Sequence, residues 1–140
     1  MHTQCPQCGK RAVRAVGREG RTVGYRNIGA LAIPPTYPIP TCSRCHAEYW
    51  PRADQILEAH LRAAYQIELQ RRGAQAITQV CKHISQRRLE RLLGLSQGYL
   101  SRLKSEASTA SAASVSLLHP LASEPSRLAE LDRFWLLPRP

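Results

Sequence analysis

Two short cysteine pairs constrain this chain more than any other feature. Cys5-Pro6-Gln7-Cys8 and Cys42-Ser43-Arg44-Cys45 each leave two residues between their thiols. A tight turn of that length points both sulfurs at one place, and two such turns build a tetrahedral sulfur site. Gly9 follows the first pair and can take the positive φ that such a turn needs. Cys5, Cys8, Cys42 and Cys45 are therefore the expected ligands of one structural zinc ion per chain. Two disulfides, or two unrelated redox pairs, are the alternatives that fit the same spacing. The segment between the pairs is too small to hold itself together, so its fold is expected to depend on metal. The fifth cysteine, Cys81, has no partner in sequence and reads as a small buried residue.

With 140 residues, the chain has room for one ordinary domain or two very small ones. No apolar run is long enough to span a bilayer, and Met1-His2-Thr3-Gln4 lacks the regions of a signal peptide. The expectation is a reducing, cytoplasmic location without membrane contact, which favours metal thiolates over disulfides. The formal net charge is +10, from 20 Lys and Arg against 10 Asp and Glu. Such a balance points to a polyanionic partner, most often nucleic acid, although a basic surface also serves solubility.

The fold class expected is α+β, with a four-cysteine zinc ribbon of short β-strands over residues 1–51. Residues 11–16 read as a strand, Gly17-Arg18-Glu19-Gly20 as a turn, and residues 21–25 as the returning strand. The prolines of residues 33–40 exclude a helix or a central strand there. Residues 52–73 read as a connecting helix, with Leu57, Leu61, Ala64 and Tyr65 on one stripe and Arg71-Arg72-Gly73 as its stop.

Residues 74–140 read as an all-α helix-turn-helix domain that binds DNA and dimerises. Ala76, Ile77, Val80, Cys81 and Ile84 form the apolar side of its first helix. Ser85 caps the second, whose core side is Leu89, Leu92 and Leu93. In Gly94-Leu95-Ser96, glycine ends that helix and serine caps the third. Leu100 and Leu103 then face inward, while Gly98, Arg102 and Ser105, flanked by Gln97 and Ser101, face outward. A generic helical bundle with a polar third helix fits the same pattern. Residues 105–116 are small and low in complexity, and Pro120 is expected to interrupt the next helix. Leu128, Leu131 and Trp135 recur on a last helix whose end, Phe134 to Leu137, is apolar. That helix either docks on its own domain or, with Leu128, Leu131, Phe134 and Trp135, forms a dimer contact.

On double-stranded DNA, Arg102 is the expected base reader, since its fork can bond guanine O6 and N7; a phosphate contact is the alternative. Gln97 can pair with adenine or touch phosphate, Ser101 and Ser105 can reach either, and Gly98 permits close approach. Arg87, Arg88, Arg91 and Lys104 are assigned to phosphates. No nucleophile–base or metal-hydrolase arrangement is evident, so no enzyme activity is expected. A competing reading is a zinc-ribbon adaptor that docks on another protein, with nucleic-acid binding incidental. RNA binding by the basic ribbon is a third, supported only by Tyr25, Tyr37, Tyr49 and Trp50 as stacking groups.

The order of these motifs resembles the MqsA-type antitoxins and their wider group of zinc-finger transcriptional regulators. The resemblance rests on Cys5-Pro6-Gln7-Cys8-Gly9, on Pro38 through Cys45, and on Ile84-Ser85-Gln86 through Leu100-Ser101-Arg102-Leu103. It also covers Val115 to Leu118 and Arg127 to Leu131. It implies structural zinc on the four cysteines, a homodimer, a palindromic operator read by Arg102, repression of its own operon, and a toxin partner at the N-terminal domain. Two positions depart from the family: Gly98 stands where an asparagine reads bases, and His46 follows the last cysteine where glycine is usual. The ribbon is also strongly basic, which suits DNA, RNA or an acidic protein better than a basic toxin.

Overall fold

The computed structural model describes residues 3–52 and 54–136. The chain is α+β, with five short antiparallel strands followed by helices. It divides into two compact units, Met1–Tyr65 and Gln66–Pro140.

In the first unit, β1 (Thr3–Gln4), β2 (Arg11–Val16) and β5 (Ile39–Cys42) form a sheet of order β1-β2-β5. β2 lies between the strands that carry the two cysteine turns, and Val13 faces both Thr3 and Cys42 across the ladder. Pro40 fits within β5 because its carbonyl oxygen accepts from Tyr49 N–H at 2.8 Å, so the proline nitrogen also faces away from β2. The ladder to β2 therefore loses no bond.

The strand over residues 22–25 does not return onto β2 as expected. β3 (Thr22–Tyr25) pairs instead with β4 (Ile28–Ala32), because both edges of β2 are taken by β1 and β5. The connecting pair is Arg26-Asn27, with Arg26 at φ 52, a conformation that glycine more often takes in such hairpins. Stacking offsets that cost: the Arg26 guanidinium lies 5.3 Å from the Tyr25 ring centroid and 5.0 Å from that of Tyr65. Ile28, Leu31, Ile33, Tyr37, Ile39, Leu57, Leu61 and Tyr65 are buried in this unit.

A charged group is buried there too. Arg21 donates from Nε to Glu48 Oε1 at 2.9 Å, from one terminal nitrogen to Thr41 Oγ1 at 3.1 Å, and from the other to the Val16 carbonyl. Its side chain is only 2% exposed. A guanidinium so placed needs all of these acceptors to offset its lost hydration.

Helix α1 (Gln55–Val80) is longer than the sequence suggests. Asp54 caps it, Oδ1 accepting from Ile56 N–H at 2.8 Å and Leu57 N–H at 3.2 Å. Tyr37 donates to Asp54 Oδ2 at 2.5 Å. That bond, with the two N–H bonds, holds the carboxyl below its ordinary range. The stop expected at Gly73 is absent, and the residues assigned to a connecting helix and to a separate first helix are continuous. Gly73 is a packing residue: a β-carbon there would lie 3.2 Å from Leu103 Cδ2 and 3.3 Å from Val115 Cγ2. It lets the other helices of the second unit approach closely.

In that second unit follow α2 (Gln86–Leu93), α3 (Tyr99–Lys104), α4 (Ala112–Ser123) and α5 (Arg127–Leu136). Ile77, Val80, Leu89, Leu100, Leu103 and Leu118 are all 0–1% exposed and make the core. Pro120 does not interrupt α4 but lies inside it. The missing N–H removes one helical bond, and buried Val115, Leu118 and Leu121 on either side hold the helix together.

Candidate functional site

The cysteine turns are built alike. Cys5 N–H donates to Lys10 O at 2.8 Å and Gly9 N–H to Cys5 O at 2.8 Å. The second turn repeats this, with Cys42 N–H to Ala47 O at 2.9 Å and His46 N–H to Cys42 O at 3.0 Å. Gly9 and His46 occupy the same position in each turn, with φ of 70° and 61°. His46 thus accepts a left-handed backbone that costs a side chain roughly 1–2 kcal/mol.

The turns bring all four sulfurs within 4.8 Å of one another. Cys5 Sγ lies 3.6 Å from Cys45 Sγ, and Cys8 Sγ 3.7 Å from Cys42 Sγ. A tetrahedron with metal–sulfur bonds of about 2.3 Å has edges of about 3.8 Å. Disulfide bonds are far shorter, at about 2.05 Å, and all five cysteines are free thiols. The quartet can hold a metal ion and is compatible with zinc. Cys5 and Cys42 are buried, while Cys8 and Cys45 are half-buried.

Electrostatics point the same way. A hydrogen bond from the Tyr49 hydroxyl, followed by N–H groups of Cys8 and Gln7, brings the Cys5 thiol down to about 6. The Cys45 N–H is the main influence lowering Cys42. At Cys45 the Ala47 N–H also favours ionisation, but burial and the three neighbouring sulfurs push the thiol up to about 12. Four thiolates this close do not all ionise without a cation among them.

Sequence reasoning gave Tyr49 only a stacking role and missed its place beside the sulfurs. Its oxygen lies 2.9 Å from Cys5 Sγ, and its ring packs on the cluster of Cys5, Val13 and Cys42. The Cys5 contact and burial push its hydroxyl up to about 12, so it stays a proton donor. Around the quartet Lys10, Arg11, Arg14 and Arg44 are exposed, and none forms an ion pair among the described residues.

The other candidate residues lie on α2 and α3. Ser85 Oγ accepts from Arg88 N–H at 3.2 Å, capping α2 as expected. Gly94 ends α2 at φ 67, and Leu95 N–H closes the cap onto Glu90 O at 2.8 Å. Ser96 does not cap α3. The N-cap is Gly98, and Leu100 N–H bonds the Glu90 carboxylate at 3.0 Å. Glu90 is 5% exposed; the longer side chain reaches across from α2 to a donor that a serine hydroxyl would otherwise satisfy.

Gln97, Ser101, Arg102, Lys104 and Ser105 are exposed, and Gly98 is half-buried. Arg102 folds back over the turn, donating to Gln97 O and to Ser96 Oγ, each at 3.3 Å. A β-carbon at Gly98 would lie 3.1 Å from the Arg102 terminal nitrogen. Glycine therefore makes the room in which that guanidinium sits. Arg87, Arg88 and Arg91 are exposed on α2, Arg88 lying 3.6 Å from Asp132.

The residues expected at a dimer contact divide. Leu128 is buried among the chain's own helices and is unavailable to a partner. Leu131 is half-buried and lines, with Leu117, Pro120, Leu121 and Phe134, a cleft of about 210 Å³. Phe134, Trp135 and Leu136 are 60%, 65% and 82% exposed. Leu137 lies outside the described residues. No helix among the described residues is long and apolar enough to cross a membrane. Neither a scan against protein-family models nor a search of curated proteins returns a match.

Proposed function

We propose that this protein is a sequence-specific DNA-binding repressor with a zinc-bound N-terminal unit and a helix-turn-helix formed by α2 and α3. The observation that carries this reading is the α2–α3 pair with Arg102 at its exposed edge. A Ser85 cap, a left-handed Gly94 and buried Leu89, Leu100 and Leu103 are what such a motif needs to fix one helix against the other. Arg102 is exposed and steered by Ser96 and Gln97, and exposed Arg87, Arg91 and Lys104 are available for phosphates. With Gly98 unable to read a base, Arg102 carries most of the discrimination, worth roughly 1–3 kcal/mol per guanine. The exposed Phe134 and Trp135 support a homodimer on a palindromic operator. The resemblance extends this reading to an autoregulating antitoxin.

In vitro selection from random DNA tests it. Wild type is expected to enrich a palindrome, and Arg102→Ala to lose preference at one symmetric position. An unchanged motif would remove Arg102 as reader, and no motif at all would remove the regulator.

A second reading, a protein-binding adaptor, draws on a groove of about 630 Å³ in the first unit. Val23, Trp50, Leu57 and Leu61 supply its apolar lining. Failure of the selection, with a tight protein partner retained by a Trp50-intact groove and lost on Trp50→Ala, would favour it.

A further inference from the structure

We propose that Tyr49 is a positioning residue of the metal centre, a hydroxyl donor that holds the Cys5 thiolate and slows ligand loss. The inference rests on metal binding by the four cysteines. Cys5 is the one ligand whose sulfur meets a side-chain hydroxyl among the described residues, at 2.9 Å. A thiolate lone pair engaged by O–H is less open to a proton, an electrophile or an oxidant, and those reactions are how metal–sulfur bonds begin to fail. Backbone N–H groups already reach Cys42, but they come with the cysteine turn itself. Tyr49 lies outside both turns, so its bond depends on how the following segment is held.

That segment is held firmly. Tyr49 N–H bonds Pro40 O at 2.8 Å, and Thr41 faces Glu48 across a β-bridge. Glu48 Oε1 accepts from Arg21 Nε at 2.9 Å and from Arg18 at 2.8 Å. The nearly inaccessible Arg21 fixes the backbone that aims the hydroxyl. Ring and hydroxyl then do different things: the ring covers the sulfur cluster, while the hydroxyl adjusts the charge on one sulfur. Tyr49→Phe removes only the second.

The test uses the full chain loaded with cobalt(II) or zinc. Two quantities are read: the rate of metal transfer to excess EDTA, and the thiolate-to-cobalt charge-transfer bands. Tyr49→Phe is expected to speed release by about 10–100-fold and to shift the bands to lower energy, because a freed thiolate is a stronger donor. Glu48→Gln, which leaves the hydroxyl but loosens its support, is expected to give a smaller change of the same sign. It keeps the question open to test should Tyr49→Phe fold poorly. Faster release with unmoved bands in both variants would assign the Tyr49 ring and segment a packing role and overturn the proposal. Unchanged rates and bands would do the same. A wild-type chain that shows no charge-transfer band at all would instead overturn metal binding, and is told apart by that spectrum alone.

Discussion

Met1–Tyr65 and Gln66–Pro140 bury different kinds of side chain. The second unit is held mainly by aliphatic residues, with Ile77, Leu89, Leu100 and Leu103 fully buried on helices and one buried carboxylate, Glu90, bonded to Leu100 N–H. The first adds to its aliphatic residues a guanidinium and a cysteine quartet that must ionise to hold a metal, groups whose charged forms are costly to bury unless each finds its counter-charge. Burial in the helical unit is stabilising by itself at about 25 cal/mol per Å² of apolar surface. In the strand unit the stabilisation is conditional: four ionised sulfurs without a cation, or Arg21 without its carboxylate, would make the same burial unfavourable.

The strongest way to break this comparison is chelation. Metal binding contributes roughly 10–16 kcal/mol of apparent free energy in small zinc domains at neutral pH. Excess chelator is expected to collapse the amide NMR dispersion of β1–β5 while the resonances of α2–α5 persist. A first unit that keeps its dispersion without metal would show that the aliphatic residues around Ile39 suffice, and the distinction would vanish. Because four thiols must ionise to bind, the same loss should follow acidification of the loaded protein, with affinity falling as pH falls.

Point substitutions sharpen the contrast. Ile77→Ala removes fully buried methyls and should cost about 2–5 kcal/mol, read as a lower melting midpoint of the helical unit with metal affinity unchanged. Arg21→Ala should cost the strand unit about 3–5 kcal/mol, because Glu48 keeps only the exposed Arg18. Residue-resolved thermal unfolding of the loaded chain separates the two. Loss spread equally over both units by either substitution would mean one cooperative body.

The sequence made some of this legible and hid the rest for identifiable reasons. Cys5, Cys8, Cys42 and Cys45 announce themselves, because a two-residue spacing has few other uses. Ser85 and Gly94 were readable as caps, since each acts on backbone within four residues of itself. What escaped acts over longer separations. Tyr49 meets a sulfur 44 positions away, and nothing near it in sequence signals a donor. Arg21 reads as one more surface cation in a basic segment, and only the fold surrounds it with acceptors. Glu90 takes over the cap expected of Ser96 because α2 packs close enough for a carboxylate to reach Leu100 N–H. Gly73 resembles a helix stop, yet it is selected by the space that Leu103 and Val115 leave. Local chemistry was visible from neighbours in sequence, and tertiary chemistry was not.

The two cysteine turns offer the finest comparison within the molecule, since they share their backbone bonds but place different residues, Gly9 and His46, at the left-handed position. Gly9 has open space where a β-carbon would be, so its φ of 70° is a purely conformational demand. His46 meets the same demand at 61° with a full side chain. The strain of roughly 1–2 kcal/mol in a left-handed residue is partly offset by the entropy that glycine brings to the unfolded chain, about 0.5–1 kcal/mol. His46→Gly should therefore raise stability by a fraction of a kcal/mol up to about 1 kcal/mol, and Gly9→Ala should lower it by a similar amount. Both are read from the melting midpoint of the zinc-loaded protein and from competition with a chelator of known affinity. If His46→Gly weakened the site instead, the imidazole would be contributing more to the folded state than the backbone strain it imposes. The second turn would then differ from the first in chemistry while sharing its conformation.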